Sequence, residues 1–226
     1  MDIDLFVLAG LVALVATAIV AAARAANRYQ QRVAFIRAYR FPPALMAKLR
    51  QRRPLETGQW ERVLTQLRQY FLVCNGAKGR MAAMPSQVVD DAWHEFILFT
   101  RAYNDFCRQG LGRFLHHTPA EAMETPTRAQ EGLRRTWRLA CELEGIDPAN
   151  PTRLPALFAM DSELGIEDGY HYRLDCLRSN GGETNTFCAS HIGCDSQYEL
   201  GSRECTSPPP MVQNARAWIL PVECVR

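Results

Sequence analysis

An uncharged apolar segment near the N-terminus constrains the fold of this chain more than any other feature. Residues Leu5 to Ala23 read LFVLAGLVALVATAIVAAA, nineteen residues without a charged side chain. As an α-helix this segment is roughly 28 Å long, close to the hydrocarbon thickness of a bilayer. A core helix of a soluble protein is seldom apolar on every face over this length. The segment therefore predicts a transmembrane helix and a single-pass membrane protein.

A cleaved secretory signal peptide is the alternative interpretation of this segment. Signal peptides usually begin with basic residues and have a shorter apolar region, whereas this chain begins MDID. The small residues in VAAARAA nevertheless resemble a cleavage site, so the alternative stays open.

The charges on either side of the apolar segment predict its orientation. Asp2 and Asp4 precede it, and no acid follows until Glu56. The basic residues that come first after it are Arg24, Arg28, Arg32, Arg37, Arg40, Lys48, Arg50, Arg52 and Arg53. Because basic flanks stay in the cytoplasm, we expect a protein of the inner (cytoplasmic) membrane with most of the chain cytoplasmic. An anionic leaflet would attract this stretch by about 1 kcal/mol per basic residue, although a solvated linker explains it equally well.

The remaining sequence predicts one small helical domain and an irregular tail. In a chain of 226 residues we assign residues 1–27 to the anchor, 28–150 to the domain and 151–226 to a cysteine-containing tail. The formal charge of +2 gives no reason to expect nucleic acid as a partner. The fold class is all-α, with a short helix near Leu154 to Leu164 and one edge strand in ARAWILPVECV within the tail.

Three segments of the domain have the apolar periodicity of core-facing helices. The first is GQWERVLTQLRQYFLVC, whose apolar residues at helical spacing are Trp60, Val63, Leu64, Leu67, Phe71 and Cys74. The second begins after Pro85 and Ser86 and is predicted to continue as one helix to Cys107. The third is TRAQEGLRRTWRLACELEG, with Gly145 as its stop signal.

Histidines and acids of the second segment form a candidate metal site. Asp90 and Asp91 precede His94 by four and three residues, and the i,i+4 spacing directs two helical side chains the same way. Glycines at positions 110 and 112 let the chain turn back, so that His116 or His117 comes to lie over His94. Imidazole and carboxylate are ligands of zinc and similar divalent ions. The alternative is that the acids cap and pair locally while the histidines make structural hydrogen bonds.

The same residues resemble the core motif of the glycine-rich domain-containing protein-like family of plants and bacteria. Its pattern places an acid three residues before a Trp-His pair, like Asp90, Trp93 and His94 here, and its Gly-x-Phe-Ile-x-His segment is similar to residues 112–117. This chain has Phe96 where many members have a second histidine, and its glycine-rich region is reduced to two glycines, 181 and 182. The resemblance covers about half of the chain. It implies the helical fold and the pairing of His94 with His117, but no established activity.

The eight cysteines fall into two groups. Cys74, Cys107 and Cys141 lie on apolar helix faces and are predicted to be buried hydrophobic side chains. The tail contains the second group: Cys176, Cys188, Cys194, Cys205 and Cys224. The first four of these, together with His191, are a candidate site for metal or disulfide bonds. Their spacing matches no paired zinc motif, and a cytoplasmic tail would rarely form disulfides.

No motif of a known catalytic class is present, so function depends on the histidine site. We expect a membrane-anchored binding or scaffold module with a protein partner, in which Asp90, His94 and His117 are structural or hold a divalent metal such as zinc. The alternative is a metal-dependent enzyme that uses the same cluster. A pocket with an unoccupied ligand position beside His94 would favour the enzyme, and a closed hydrogen-bonded cluster would favour the module.

The orientation can be measured with C-terminal fusions to alkaline phosphatase and to a fluorescent protein. Because alkaline phosphatase needs disulfides that form outside the cytoplasm, we expect an inactive phosphatase fusion and a fluorescent protein fusion that emits. An active phosphatase fusion would reverse the predicted topology, and it would make disulfides the better interpretation of the tail cysteines.

Overall fold

The computed structural model describes residues 2–117, 126–174, 186–188, 192 and 221–222. The α-helices are α1 (Asp2–Ala38), α2 (Pro43–Arg52), α3 (Thr57–Gly76), α4 (Gln87–Ile97), α5 (Thr100–Phe106), α6 (Pro126–Glu144) and α7 (Ala156–Glu163), with a π-helical turn at Cys107–Leu111. The strands are β1 (Ala82–Ala83), β2 (His171–Arg173), β3 (Thr186–Cys188) and β4 (Pro221–Val222). Helices dominate the described residues, so the predicted all-α class is confirmed.

Helix α1 contains the apolar segment and continues into the domain without a break. It spans 37 residues, and an 18-residue window within its part from Val7 to Ala38 has a mean hydropathy of 2.2 with none of that window buried. The helix is therefore long and apolar enough to cross a membrane, as a signal sequence near an N-terminus would also be. Its last turns pack on the domain, where Ile36 is buried and Val33 and Phe35 are partly buried. One continuous helix thus joins the candidate membrane span to the folded domain.

Helix α3 lies at the centre of the domain and contacts α1, α2, α4, α6 and α7. A capping box between Glu56 and Gln59 begins the helix by satisfying its first backbone amides. The apolar face predicted from the sequence is buried, with Trp60 and Phe71 fully inaccessible to solvent. These five helices cover α3, and its second half from Tyr70 to Asn75 is buried on every side.

The segment predicted as one helix from Asp90 to Cys107 is divided in the structure. Helix α4 ends at Ile97, and Phe99 has the non-helical angles φ −80° and ψ 60° before α5 begins. On a straight helix, ten residues separate two side chains by about 15 Å along the axis. The ring centroids of Phe96 and Phe106 are instead 5.6 Å apart. The break therefore allows both rings to enter one aromatic core, which a continuous helix could not do.

The described parts of the C-terminal segment pack onto the helical domain. Helix α7 lies where a short helix was predicted, and its Leu157 and Phe158 belong to the core. Strand β4, within the predicted edge-strand segment, pairs antiparallel with β1, and β2 pairs parallel with β3. The core consequently extends beyond residue 150, the predicted start of the tail.

A buried carboxylate joins α7 to the start of α4. Asp161 accepts hydrogen bonds from the Ser86 hydroxyl at 2.7 Å, from the backbone amides of Gln87 and Val88 at 2.7 and 3.1 Å, and from that of Tyr170 at 2.8 Å. The Ser86 hydroxyl itself accepts from the Val89 amide and caps α4. Asp161 therefore satisfies donors at the first turn of α4 that a helix cannot satisfy internally.

We expect Asp161→Ala to lower the free energy of unfolding by about 3 kcal/mol or more, because buried donors left without acceptors cost about 1–3 kcal/mol each. Denaturant titration of the full chain in a nonionic detergent, followed by tryptophan fluorescence, measures the change. Asp105→Ala is the matched control, since the Asp105 side chain is 55% exposed and pairs with Arg108 at the surface. We expect this control to change stability by less than about 1 kcal/mol. Equal losses in the two variants would contradict the role assigned to Asp161.

Candidate metal centre

Helix α4 places Asp90 and His94 one turn apart on the same side. The neighbouring apolar face of the helix is fixed in the core by Trp93 and Phe96, both fully buried. Ser86 and Asp161 fix its first turn. The orientation of the two candidate ligands therefore follows from a helix held both at its end and along its apolar face.

The chain returns to α4 through a glycine turn. Gly112 has φ 70°, a left-handed conformation that favours glycine, and a Cβ at this position would overlap the Arg32 guanidinium of α1. Tyr103 then holds the returning segment, since its hydroxyl donates to the Leu115 carbonyl and accepts from the indole nitrogen of Trp93 at 3.2 Å. Burial raises the pKa of Tyr103, so the hydroxyl stays protonated and able to donate. The hydrogen bond from Tyr103 fixes the Leu115 carbonyl, and His117 follows two residues later in the chain.

Asp90, His94 and His117 come together in the structure. One ligand atom of each lies within 4.8 Å of the other two. The Asp90 Oδ2 atom is 3.2 Å from His94 Nδ1, and Asp90 Oδ1 is 3.3 Å from His117 Nε2. The two imidazole rings are 4.2 Å apart between centroids, and His117 also packs against Trp93 at 4.7 Å. The predicted approach of His117 to His94 is present in this geometry.

Two facing atoms of this cluster are buried without a hydrogen bond. Asp90 Oδ2 and His94 Nδ1 are inaccessible to solvent, and neither has a hydrogen-bond partner among the described residues despite their 3.2 Å separation. Burial is the main cause that lowers the pKa of His94, opposed by the Asp90 carboxylate and reinforced by His117. A neutral imidazole offers a lone pair at an unprotonated nitrogen, and metal ions bind this form. The two atoms therefore form a pair of candidate ligands.

The other two candidate ligands of this segment lie outside the cluster. Asp91 is buried, but its Oδ1 accepts from Arg52 Nε at 2.9 Å and its Oδ2 accepts from Arg53 Nε at 2.5 Å. His116 is exposed and packs against Phe114, with ring centroids 4.7 Å apart. Of the two adjacent acids, Asp90 therefore belongs to the histidine cluster and Asp91 pairs with arginines. Of the two adjacent histidines, His117 lies in the cluster and His116 lies outside it.

An open pocket of about 520 Å³ adjoins the cluster. Its lining residues are Arg52, His94, Glu95, Ile97, Leu98 and His117. The sequence interpretation did not identify Arg52 or Glu95 as site residues. Glu95 directly follows His94, which was an available signal, whereas Arg52 was assigned to the basic stretch after the apolar segment. Leu98 is 70% exposed at this pocket.

The predicted tail site lies outside the described side chains. Cys176, His191, Cys194 and Cys205 are not among the described residues, and for Cys188 only the backbone in β3 is described. By contrast, Cys74, Cys107 and Cys141 are buried in the core, as predicted from their positions on apolar helix faces.

The fold and the site together define a helical domain that follows a helix long enough to cross a membrane and that has an Asp/His cluster of metal-binding geometry. A family model described as UCP032817-like matches residues 31–192, from the last turns of α1 through the domain, and the chain belongs to this family. No curated protein and no solved structure matches the sequence. None of these comparisons bears on the resemblance to the glycine-rich domain-containing protein-like family, which stays a prediction. The family name states no activity, so function must be inferred from the site.

The position of His117 depends on Tyr103, and this dependence can be tested. We expect Tyr103→Phe to lower the free energy of unfolding by about 1–3 kcal/mol, because the buried Leu115 carbonyl loses its donor and the Trp93 indole loses its acceptor. Denaturant titration measures the loss. Tyr29→Phe on the exposed surface of α1 is the control and should be neutral. A neutral effect of Tyr103→Phe would show that these hydrogen bonds do not hold the returning segment.

Proposed function

We propose that the helical domain is a membrane-anchored module that binds a divalent metal such as zinc through Asp90, His94 and His117. The observation that carries the proposal is the buried pair Asp90 Oδ2 and His94 Nδ1, which lie 3.2 Å apart without a hydrogen bond. With Nδ1 unprotonated, the two atoms are both acceptors, so they repel each other and lack solvation. A cation bound between them would supply the missing interaction for both atoms.

The separations between ligand atoms support this proposal. In a tetrahedral zinc site with nitrogen and oxygen ligands at roughly 2.0–2.1 Å, neighbouring ligand atoms are about 3.3 Å apart. The contact between Asp90 Oδ2 and His94 Nδ1 measures 3.2 Å, and one ligand atom of each of the three residues lies within 4.8 Å of the other two. The alternative without metal is that His117 Nε2 donates to Asp90 Oδ1, which would leave the Oδ2 and Nδ1 pair unsatisfied.

The candidate membrane helix supports the anchored part of the proposal. Because the basic residues follow the apolar segment, the domain is assigned to the cytoplasmic face of the inner membrane. A protein partner stays a prediction that follows from the interpretation of the domain as a binding module.

A metal-dependent enzyme is the second candidate function, and the open pocket favours it. Three protein ligands leave a fourth position for water or substrate, which is the arrangement of catalytic rather than structural zinc sites. His94 and His117 both line the pocket, so this position would be accessible from it. Glu95 lines the same pocket and would provide a carboxylate close to metal-bound water.

Metal content of the full chain tests the main proposal. We expect the chain, purified in nonionic detergent without a metal-binding tag, to retain about one equivalent of divalent metal by elemental analysis. A chelator should then lower the melting temperature, because a ligand that binds the folded state stabilises it by mass action.

Three single variants make the metal measurement specific. His94→Ala and His117→Ala should each lose the metal, whereas His116→Ala should keep it because that neighbouring histidine is exposed and outside the cluster. A wild-type chain that contains no metal, takes up none and melts at the same temperature with chelator would refute the proposal.

A further inference from the structure

Arg52 is held in a fixed position at the edge of the candidate metal centre. Its Nε and Nη2 atoms both lie 2.9 Å from Asp91 Oδ1. The Asp91 side chain is 2% exposed and is held from its other oxygen by Arg53, which also makes two hydrogen bonds to Asp168. The guanidinium of Arg52 is therefore positioned by a buried carboxylate that is itself fixed.

One end of the Arg52 guanidinium remains available to a ligand. Its Nη1 atom forms an ion pair with Glu95, whose Oε1 is 3.6 Å away, a separation too long for a hydrogen bond. The Arg52 side chain is 43% exposed and lines the pocket together with His94 and His117. The pocket thus presents a preorganised cationic donor beside the two histidines.

The charges around the pocket favour an anionic ligand once a divalent ion is bound. The ion and Arg52 together provide three positive charges at the pocket, against the negative charges of Asp90 and Glu95, while Arg53 bridges Asp91 and Asp168 beside it. A bound ion and the Arg52 guanidinium would therefore present positive charge to a ligand in a concave surface, which strengthens the attraction of anions.

The shape and the apolar lining of the pocket restrict the ligand further. A volume of about 520 Å³ is in the range of small-molecule sites. Ile97 and Leu98 form the apolar part of the lining, and Leu98 is 70% exposed. A large exposed leucine beside a cationic site is suited to contact the apolar part of a small molecule.

We infer that the pocket binds the oxyanion group of a small molecule, a phosphate or a carboxylate, between the metal's open position and Arg52, with an apolar part of the molecule against Leu98. This inference rests on the proposed metal centre. It goes beyond that centre by assigning a ligand class and by giving Arg52 and Leu98 roles in binding.

Cobalt can serve as a spectroscopic probe of both the metal and the anion. The full chain in nonionic detergent is freed of metal, titrated with Co²⁺ and followed by visible absorption, and then titrated with inorganic phosphate or with acetate. We expect one Co²⁺ to bind and its absorption to change on addition of at least one of the two anions. The comparison between the two anions decides whether phosphate or carboxylate is preferred.

Variants of two arginines on α2 separate binding by Arg52 from general electrostatic attraction. Arg52→Gln should keep the Co²⁺ absorption and weaken anion binding roughly tenfold, the effect of losing one charge-assisted hydrogen bond. Arg50→Gln removes the same charge from the same helix, but Arg50 bonds to Thr57 outside the pocket. We expect that control to change anion affinity by less than about twofold.

The apolar contact is tested with phenylphosphonate, which adds an aromatic ring to the oxyanion. We expect phenylphosphonate to bind roughly tenfold more tightly than inorganic phosphate, because the ring buries apolar surface against Leu98. Leu98→Ser should remove most of this difference and leave phosphate affinity unchanged. Equal affinities of the two ligands for the wild-type chain would refute the role of Leu98.

The outcomes distinguish a failure of this inference from a failure of the metal proposal. If Co²⁺ does not bind, the metal centre is refuted and the anion site fails with it. If Co²⁺ binds but neither anion changes its absorption, the metal centre stands and the oxyanion site is refuted. Equal anion affinity in the wild-type and Arg52→Gln chains would likewise refute the role of Arg52.

Discussion

The hydrogen bonds of the buried Asp161 carboxylate fix helix α4, and the rest of the structure depends on the position of that helix. Asp161 accepts from Ser86 and from two backbone amides at the first turn of α4. Along its length α4 contributes Trp93 and Phe96 to the core and presents Asp90 and His94 at the site. A rotation of the helix would therefore expose core aromatics and separate the candidate ligands at the same time. Stability and metal geometry are coupled because they depend on the same helix orientation.

The adjacent acids Asp90 and Asp91 show how this orientation assigns different chemistry to similar residues. Asp91 pairs with two arginines at the end of α2, and each of its oxygens accepts a hydrogen bond from one of them. Asp90 lies between two imidazoles and keeps one oxygen without a hydrogen bond among the described residues. A buried carboxylate is stable only if it is paired, hydrogen-bonded or bound to a cation. Asp91 is paired with arginines, and a bound metal ion would provide the cation for Asp90.

The continuity of α1 links the site to the candidate membrane span. Between Arg24, where the uncharged segment ends, and Val33, where packing on the domain begins, the helix advances roughly 13 Å at its regular rise. Arg32 in this stretch contacts the turn at Gly112 that leads to His117. The segment that follows the candidate membrane span is thus also part of the support for the site. A helix without a break transmits orientation, so the anchor and the domain are expected to move together.

Local sequence patterns determined the helical class, the candidate membrane span and the proximity of Asp90 to His94. These features depend on helical periodicity and on spacings of a few residues, and both can be read from the order of residues in the chain. The break at Phe99 was missed because the apolar period continues through it, and only packing of Phe96 with Phe106 requires the bend. The spacing of residues left His116 and His117 open, and the family resemblance implied His117, which the tertiary structure brings into the cluster. Only the tertiary structure paired Asp91 with Arg52, 39 residues away. It also joined Asp161 to Ser86 across 75 residues. Such partners are decided by how distant elements pack in three dimensions, and no local pattern in the chain encodes that choice.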